Sequence, residues 1–401
     1  MIHTYDAVIV GAGPAGSATA ALLAERGHTV ALLDRAHFPR PKPCAEYLSP
    51  EAGRILERLG VLGSLRAAGA AELAGMRVVG PGGMSFTGRF AGRGTQGFPR
   101  FSDVGLAIRR EVLDATLLDA ARARNVTVLE GLTARSLGVT PAARTVLAQR
   151  DGTPVAIAGR LVIGADGLNS RVAAVLGLTR RRGRPRVAFV THARGVQDMS
   201  DVGEIHVGPG GYAGLASVGD GITNVAVVTG DAGAGGGARE RLRQLLAGYP
   251  EVTRRVANAT WVSPVRAVGP FGRWTPRASA ARALLVGDAA DFHDPVTGEG
   301  VYAALRGAEL AAEHADLALR SDRLEAAAFA EYDRDRRRVF GGKWLVERLI
   351  GWAIATPAVL DHAARRLRDR PELADLLIGV TGDFVPARQI LTPSFLWRLA
   401  W

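Results

Sequence analysis

The chain opens on a largely apolar run, Tyr5 to Val10, closed by glycine, which predicts a buried strand. Alanine and leucine dominate Pro14 to Arg26, a helical composition, and His28 to Leu33 returns to a strand pattern. Strand, helix and strand at these separations predict a parallel βαβ unit. Ser49 followed by Pro50 marks a helix start with proline in its first turn. Arg110–Arg124 predicts another helix, followed by a strand at Val126–Glu130. Short β-like runs alternate with turns from Leu137 to Ala158, and Leu161–Gly164 reads as a further buried strand.

From Val187 to Val268 the pattern is strand-rich, with His206, Tyr212 and Trp261 among the strands and Gly230–Ala238 as a flexible loop. This predicts an inserted antiparallel sheet, a natural substrate platform. Ala283–Val286 returns to a buried strand, Glu299–Leu319 and Leu324–Leu349 predict helices, and the remainder is helical. The fold class expected is α/β: a Rossmann-like domain interrupted by an antiparallel β-sheet domain, with a helical C-terminal tail. Its expected divisions are 1–180 (with substrate-domain segments near 70–105), 181–275 for the sheet, 276–340 for the return and 341–401 for the tail.

A length of 401 residues exceeds one ordinary core and agrees with this division. Met1–Asp6 lacks a basic stretch before its short apolar run, so no secretory leader is expected. No apolar run is long enough to suggest a spanning helix. The single cysteine, Cys44, excludes an internal disulfide and fits a reducing cytoplasm. The histidines are scattered, and no metal site is expected. The net charge of +11 is almost all arginine, only Lys42 and Lys343 being lysines. Basic residues are not interleaved with stacking aromatics, so no nucleic-acid partner is expected. The run Arg180, Arg181, Arg182, Arg184 and Arg186 reads as a solvated connector.

Gly11, Gly13 and Gly16 form GAGPAG between the first strand and helix. There Gly11 permits the tight turn, Gly13 lets a pyrophosphate approach the backbone, and Gly16 lets helix and strand pack closely, with Ala15 and the other first-turn amides facing the phosphates. Asp34, ending the second strand beside Arg35, can accept hydrogen bonds from the ribose. A second match at Gly233, Gly235 and Ala238 lacks this context and reads as a decoy. Asp288, after Leu285-Val286-Gly287, is suited to ribityl hydroxyls. The segment Asp294-Pro295-Val296-Thr297-Gly298-Glu299-Gly300, with Val301, opens a helix whose positive end can face a flavin ring.

These motifs resemble the flavoprotein superfamily that includes FAD-dependent monooxygenases (aromatic hydroxylases) and geranylgeranyl reductases. Gly164-Ala165-Asp166-Gly167 resembles the hydroxylases' Asp-Gly motif, which implies contact of Asp166 with the pyrophosphate region. Arg110-Glu111-Val112-Leu113-Asp114 resembles the RxxFD element, which implies that Arg110 contacts the FAD, and Ala134 fits a backbone contact near adenine. Phe38–Pro50 resembles the geranylgeranyl reductase segment with a PxxKxCGE core, Ala45 standing in place of glycine. The resemblance implies that Cys44 and Ala45 lie beside the flavin, Cys44 being either a small buried apolar group or a thiol activated by Lys42 and Arg40. Gly211–Ser217 takes the place of a YxWxFP segment, keeping Tyr212 but with Gly214 for tryptophan and Ala216-Ser217 for Phe-Pro.

That smaller lining leads us to expect a single-component monooxygenase acting on an aromatic or polyketide-like molecule, with FAD as cofactor and NADPH or NADH as transient reductant. A reductase of isoprenoid double bonds is the alternative, and a non-enzymatic carrier of prenylated cargo is disfavoured. Candidate catalytic residues are Cys44, Tyr212 and His293, with His192 and His206 candidates by type alone. The tail reads as a core cap, or as a lid or peripheral membrane contact through its basic amphipathic helices.

Overall fold

In a computed structural model, residues 4–140, 142–181, 185–231, 233, 237–292 and 294–400 are described. The nucleotide-binding half is built on an eight-stranded sheet. Strand Thr4–Val10 lies at its centre, parallel to Thr153–Gly164 on one side and to Val30–Leu33 on the other. Thr127–Leu129 and Ala283–Leu285 extend the parallel array outward. Thr153–Gly164 is one continuous strand: its first half closes an antiparallel ladder with Arg144–Arg150, and its second half, Leu161–Gly164, enters the parallel core. Helix Pro14–Glu25 is buried along nearly its whole length between the sheet and helices Arg110–Arg122 and Gly300–Arg320, which is why it carries alanine and leucine on every face.

A second eight-stranded sheet stands above the first. Its strands Val187–Arg194, Ile222–Thr229, Gly211–Ser217 and Gly203–Gly208 are antiparallel. It is not antiparallel throughout: Gly75–Val79 joins Gly203–Gly208 in parallel, and Ser85–Arg89 forms the edge. The strand-rich stretch also contains two helices, Ala238–Leu246 and Pro250–Val256, whose Leu242, Leu246, Val252 and Val256 cover the sheet's outer apolar face. Their patterns were hidden among arginines and short apolar pairs. Gly235 of the decoy motif lies outside the described residues. Ala238 begins a helix after an antiparallel strand, so no parallel βαβ unit surrounds that motif.

The described part of the arginine run departs from the solvated connector expected at two places. Arg180–Arg181 pairs with Arg273–Trp274, and the Arg186 guanidinium bonds Asp294 at 2.9 Å. Arg182 and Arg184 lie outside the described residues. In the tail, helix Pro371–Thr381 lies on the edge strand so closely that a Cβ on Gly88 would stand 2.4 Å from the Ala374 carbonyl oxygen. Asp375 accepts the Arg89 amide, closing that edge. Helix Ala330–Ile354 spans both sheets' territory, burying Tyr332 and Phe340 on one side and Val346 and Ile354 further on.

Candidate functional site

The glycine loop has separable constraints. Gly11 adopts φ +102°, and a Cβ there would meet the Ala165 carbonyl oxygen at 2.4 Å. A Cβ on Gly16 would meet the Gly11 carbonyl oxygen at 1.8 Å. Gly13 differs: its nearest neighbours would be the guanidinium ends of Arg40 and Arg110, at 3.7 and 3.9 Å. Space bounded by two arginines at a helix N-terminus suits an anionic group such as a pyrophosphate. Asp34 accepts the Ala12 amide at 2.8 Å and the Ala36 amide at 2.9 Å, so it holds the loop and keeps further lone pairs for a ribose.

Arg110 is aimed by Asp114, its i+4 neighbour, through two hydrogen bonds of 2.7 and 2.9 Å. Burial opposes its charge, but Asp114 and Cys44 outweigh this and hold its proton more tightly than usual. Arg40 shares Asp114 at 3.3 Å. The thiol of Cys44 interacts with Arg110.

A cavity of about 810 Å³ runs from this loop to the second sheet. Gly11, Gly13, Ala15, Asp34, Arg35 and Ala134 line one end; Cys44, Ala45, Arg110, Asp166 and Asp288 line the middle; Pro295, Gly298, Gly300, Val301 and Tyr212 lie further along. Gly16 sits behind the wall, where it packs the helix. Asp166 is occupied locally, accepting from the Ser170 hydroxyl and the Arg171 and Val172 amides, so it secures the turn at the cavity wall. Burial raises the Asp288 carboxyl, opposed by Lys42 and Arg110, while burial lowers Lys42, opposed by Asp288. A facing acid and base inside the cavity suit a ligand rich in hydroxyls and phosphates.

The loop entering helix Gly300–Arg320 is fixed from three sides. Asp294 accepts the Val296 amide at 3.1 Å, the Tyr212 hydroxyl at 2.8 Å and Arg186. Tyr212 therefore positions this loop from the sheet, and burial, followed by the Asp294 charge, raises its phenol well above the usual value. Its hydroxyl is committed to Asp294, not free for proton exchange with substrate. Gly298 turns with φ +70° against the Tyr47 ring. The unpaired amides at the helix start then face the cavity, where they favour negative charge.

Cys44 is held by its backbone. Its carbonyl accepts Asn224 Nδ2 at 2.8 Å. Two residues on, Glu46 accepts Asn224, His192 Nε2 at 2.7 Å and the Arg110 amide. Glu46 adopts φ +62°, an uncommon conformation for a non-glycine residue that this network sustains. His192 is thereby a clamp. His206 bonds Glu204, which burial would raise but His206 and Arg255 bring down to about 2. Glu204, His206 and Glu251 converge closely enough to ligate a cation, yet the Arg255 guanidinium already makes two bonds to Glu204. His293 lies outside the described residues.

Sequence reasoning missed the wall supplied by helix Ala330–Ile354. Phe340, Lys343, Trp344 and Glu347 line the cavity from a helix to which the sequence assigned no part in the site. Lys343 is paired with both Glu299 and Asp383. One of only two lysines in an arginine-rich chain was the available signal.

The FAD binding domain family matches residues 4–341. Digeranylgeranylglycerophospholipid reductase 1 of Methanothermobacter thermautotrophicus is 31% identical over 85% of this chain and 84% of its own length. Menaquinone reductase of Mycobacterium tuberculosis is 32% identical over 78% of this chain and 76% of its own. A flavoprotein/dehydrogenase from Cytophaga hutchinsonii superposes with a TM-score of 0.83 at 19% identity, covering 95% of this chain and 93% of that one, a likeness of fold.

Proposed function

The chain belongs to the FAD binding domain family and is an FAD-dependent oxidoreductase, and from that premise we propose that it saturates carbon–carbon double bonds of an isoprenoid chain. The observation carrying this reading is the Cys44–Glu46 segment, the part that resembles the reductases. It is clamped by Asn224 of the second sheet and by the start of helix Arg110–Arg122, at the junction of nucleotide seat and apolar chamber. Sequence similarity above 30% to two named reductases of isoprenoid lipids and quinones supports it, and moves the proposal from hydroxylation, which the small lining had favoured, to reduction.

FAD supplies hydride chemistry when bound. Gly13, Arg40 and Arg110 hold its pyrophosphate, Asp34 its ribose, and Asp288 its ribityl chain. The amides of Gly300 and Val301 stabilise negative charge on its ring. Val190, Leu215, Ala226 and Val228 of the sheet exclude water from the substrate. NADPH or NADH is the proposed reductant.

Hydroxylation of a ring is the second reading, favoured by Gly214: a Cβ there would meet only the Glu204 carbonyl oxygen, at 3.8 Å, which leaves the chamber wide. Anaerobic incubation of holoenzyme, NAD(P)H and a polyprenyl panel is expected to give saturated product. Oxygen uptake stimulated by a phenol, with hydroxylated product and no saturation, overturns the proposal. Cys44→Ser is expected to keep its FAD while changing turnover, since Cys44 contacts Arg110 in the cavity wall. Kinetics matching the wild type with every accepted substrate would make Cys44 a packing residue.

No helix among the described residues is long and apolar enough to cross a membrane. The outer face of helix Ala330–Ile354 nevertheless exposes Leu345, Leu349 and, at 59%, Trp352, directly behind the cavity wall. Arg337, Arg338 and Arg348 are exposed on the same helix, and the chain carries +11 charges. We propose that this face rests on an anionic bilayer, on the cytoplasmic side where Cys44 stays reduced. Co-sedimentation with phosphatidylglycerol vesicles is expected, weakened by salt and lost when Leu349 and Trp352 become glutamate. Absence of vesicle binding, with a dimer that dissociates in the same variant, would assign the face to self-association.

A further inference from the structure

Saturating a double bond requires a proton as well as a hydride, and the cavity's acids differ in their freedom to give one. Asp34 and Asp166 are bound by backbone amides. Asp291 is paired with Arg336, Asp294 with Arg186 and Tyr212, Glu299 with Lys343, and Glu204 with Arg255. Asp288 faces Lys42 at the site proposed for the ribityl chain. Neither Asp288 nor Glu347 receives a hydrogen bond from any described residue, but Asp288 lies at the seat proposed for the ribityl chain, whereas Glu347 stands apart from it, in the wall supplied by helix Ala330–Ile354.

We propose that Glu347 is the proton donor of this enzyme and delivers its carboxyl proton to the substrate carbon adjacent to the one receiving hydride. This rests on the reductase reading. Its surroundings support the protonated form. Around it stand Lys343, one turn back on the same helix, Asp291 and Asp294 from the loop before helix Gly300–Arg320, and Asp383 from beyond helix Pro371–Thr381. Lys343 is the cation nearest at hand, but it already serves Glu299 and Asp383. Burial foremost, with these acids adding and Lys343 opposing, pushes the Glu347 carboxyl up to about 7.

The step balances. One carbon of the double bond gains a hydride from reduced flavin, which is thereby oxidised by two electrons. The neighbouring carbon gains the Glu347 proton as the O–H bond breaks. The carboxylate left behind takes a proton from water, and a nicotinamide nucleotide restores the reduced flavin. An acid near neutrality is suited to this cycle, since it both releases and regains its proton at working pH.

Glu347→Gln keeps size and polarity but has no acidic proton. Infrared difference spectra of oxidised holoenzyme are expected to contain a protonated-carboxyl band that titrates near neutrality and is missing in Glu347→Gln. Polyprenyl saturation by the variant is expected to fall by roughly 10²–10⁴-fold, while its FAD content and anaerobic flavin reduction by NAD(P)H stay at wild-type levels. The wild-type rate should fall as pH rises through about 7, and the residual rate of the variant should lose that limb. A band that persists in Glu347→Gln, or saturation at the wild-type rate, overturns the proposal. If the wild type saturates nothing in the panel, the reductase reading fails and the donor role fails with it, while the infrared band still reports whether Glu347 holds its proton.

Discussion

Gly13→Val is expected to give a folded protein that emerges colourless, with less than about a tenth of the wild-type FAD content. Gly13 has φ −76° and ψ −172°, a conformation open to any residue, so valine brings no backbone strain. Its Cβ would touch only the guanidinium ends of Arg40 and Arg110, which are flexible. The fold therefore survives, and what the side chain fills is the space proposed for the pyrophosphate. Gly11 and Gly16 are the contrast: there a Cβ would collide with backbone carbonyl oxygens at 2.4 and 1.8 Å, so their substitution is expected to disturb folding itself. Flavin absorbance per polypeptide, alongside a thermal melt by circular dichroism, checks both. A folded Gly13→Val protein with full flavin content would give the loop another task.

The nucleotide half was legible because its signals are local. Val10-Gly11 to Asp34 carries its meaning within one βαβ unit, and Ser49 does cap its helix, its hydroxyl accepting the Ala52 amide at 3.3 Å. The residues that link distant segments were not. Nothing in the string sets Tyr212 against Asp294 or Asn224 against Glu46, because those contacts depend on how the second sheet sits over the first. Arg186 looked like one of a run of solvated arginines until its partner, more than a hundred residues away, was in place. Helix Ala330–Ile354 misled for a different reason. Its cavity side mixes Phe340 and Trp344 with Arg336, Lys343 and Glu347, and its solvent side exposes Leu345, Leu349 and Trp352, so no apolar stripe marks the side that faces inward.

Lys343→Met is expected to destabilise the protein by about 3–5 kcal/mol at neutral pH, because it leaves buried carboxylates without their cation. The Glu299 and Asp383 side chains are 5% and 0% exposed, and both lean on Lys343. Burial is the main force raising both carboxyls, and Lys343 is what opposes it. A carboxyl raised in the folded state binds its proton more tightly there than in the unfolded chain. Its stabilisation is complete below the ordinary carboxylate range and fades as pH rises through the folded value. Without Lys343 the folded values climb further, so this fading steepens and moves toward alkali. The variant should thus be weakest at about pH 8 and recover much of its deficit by about pH 5, where the acids are neutral and need no partner. Urea unfolding at several pH values reads this directly. A deficit that stays constant across the range, or grows on acidification, would mean that Lys343 packs against Tyr302 and its neighbours rather than neutralising the acids that tie the tail to the start of helix Gly300–Arg320.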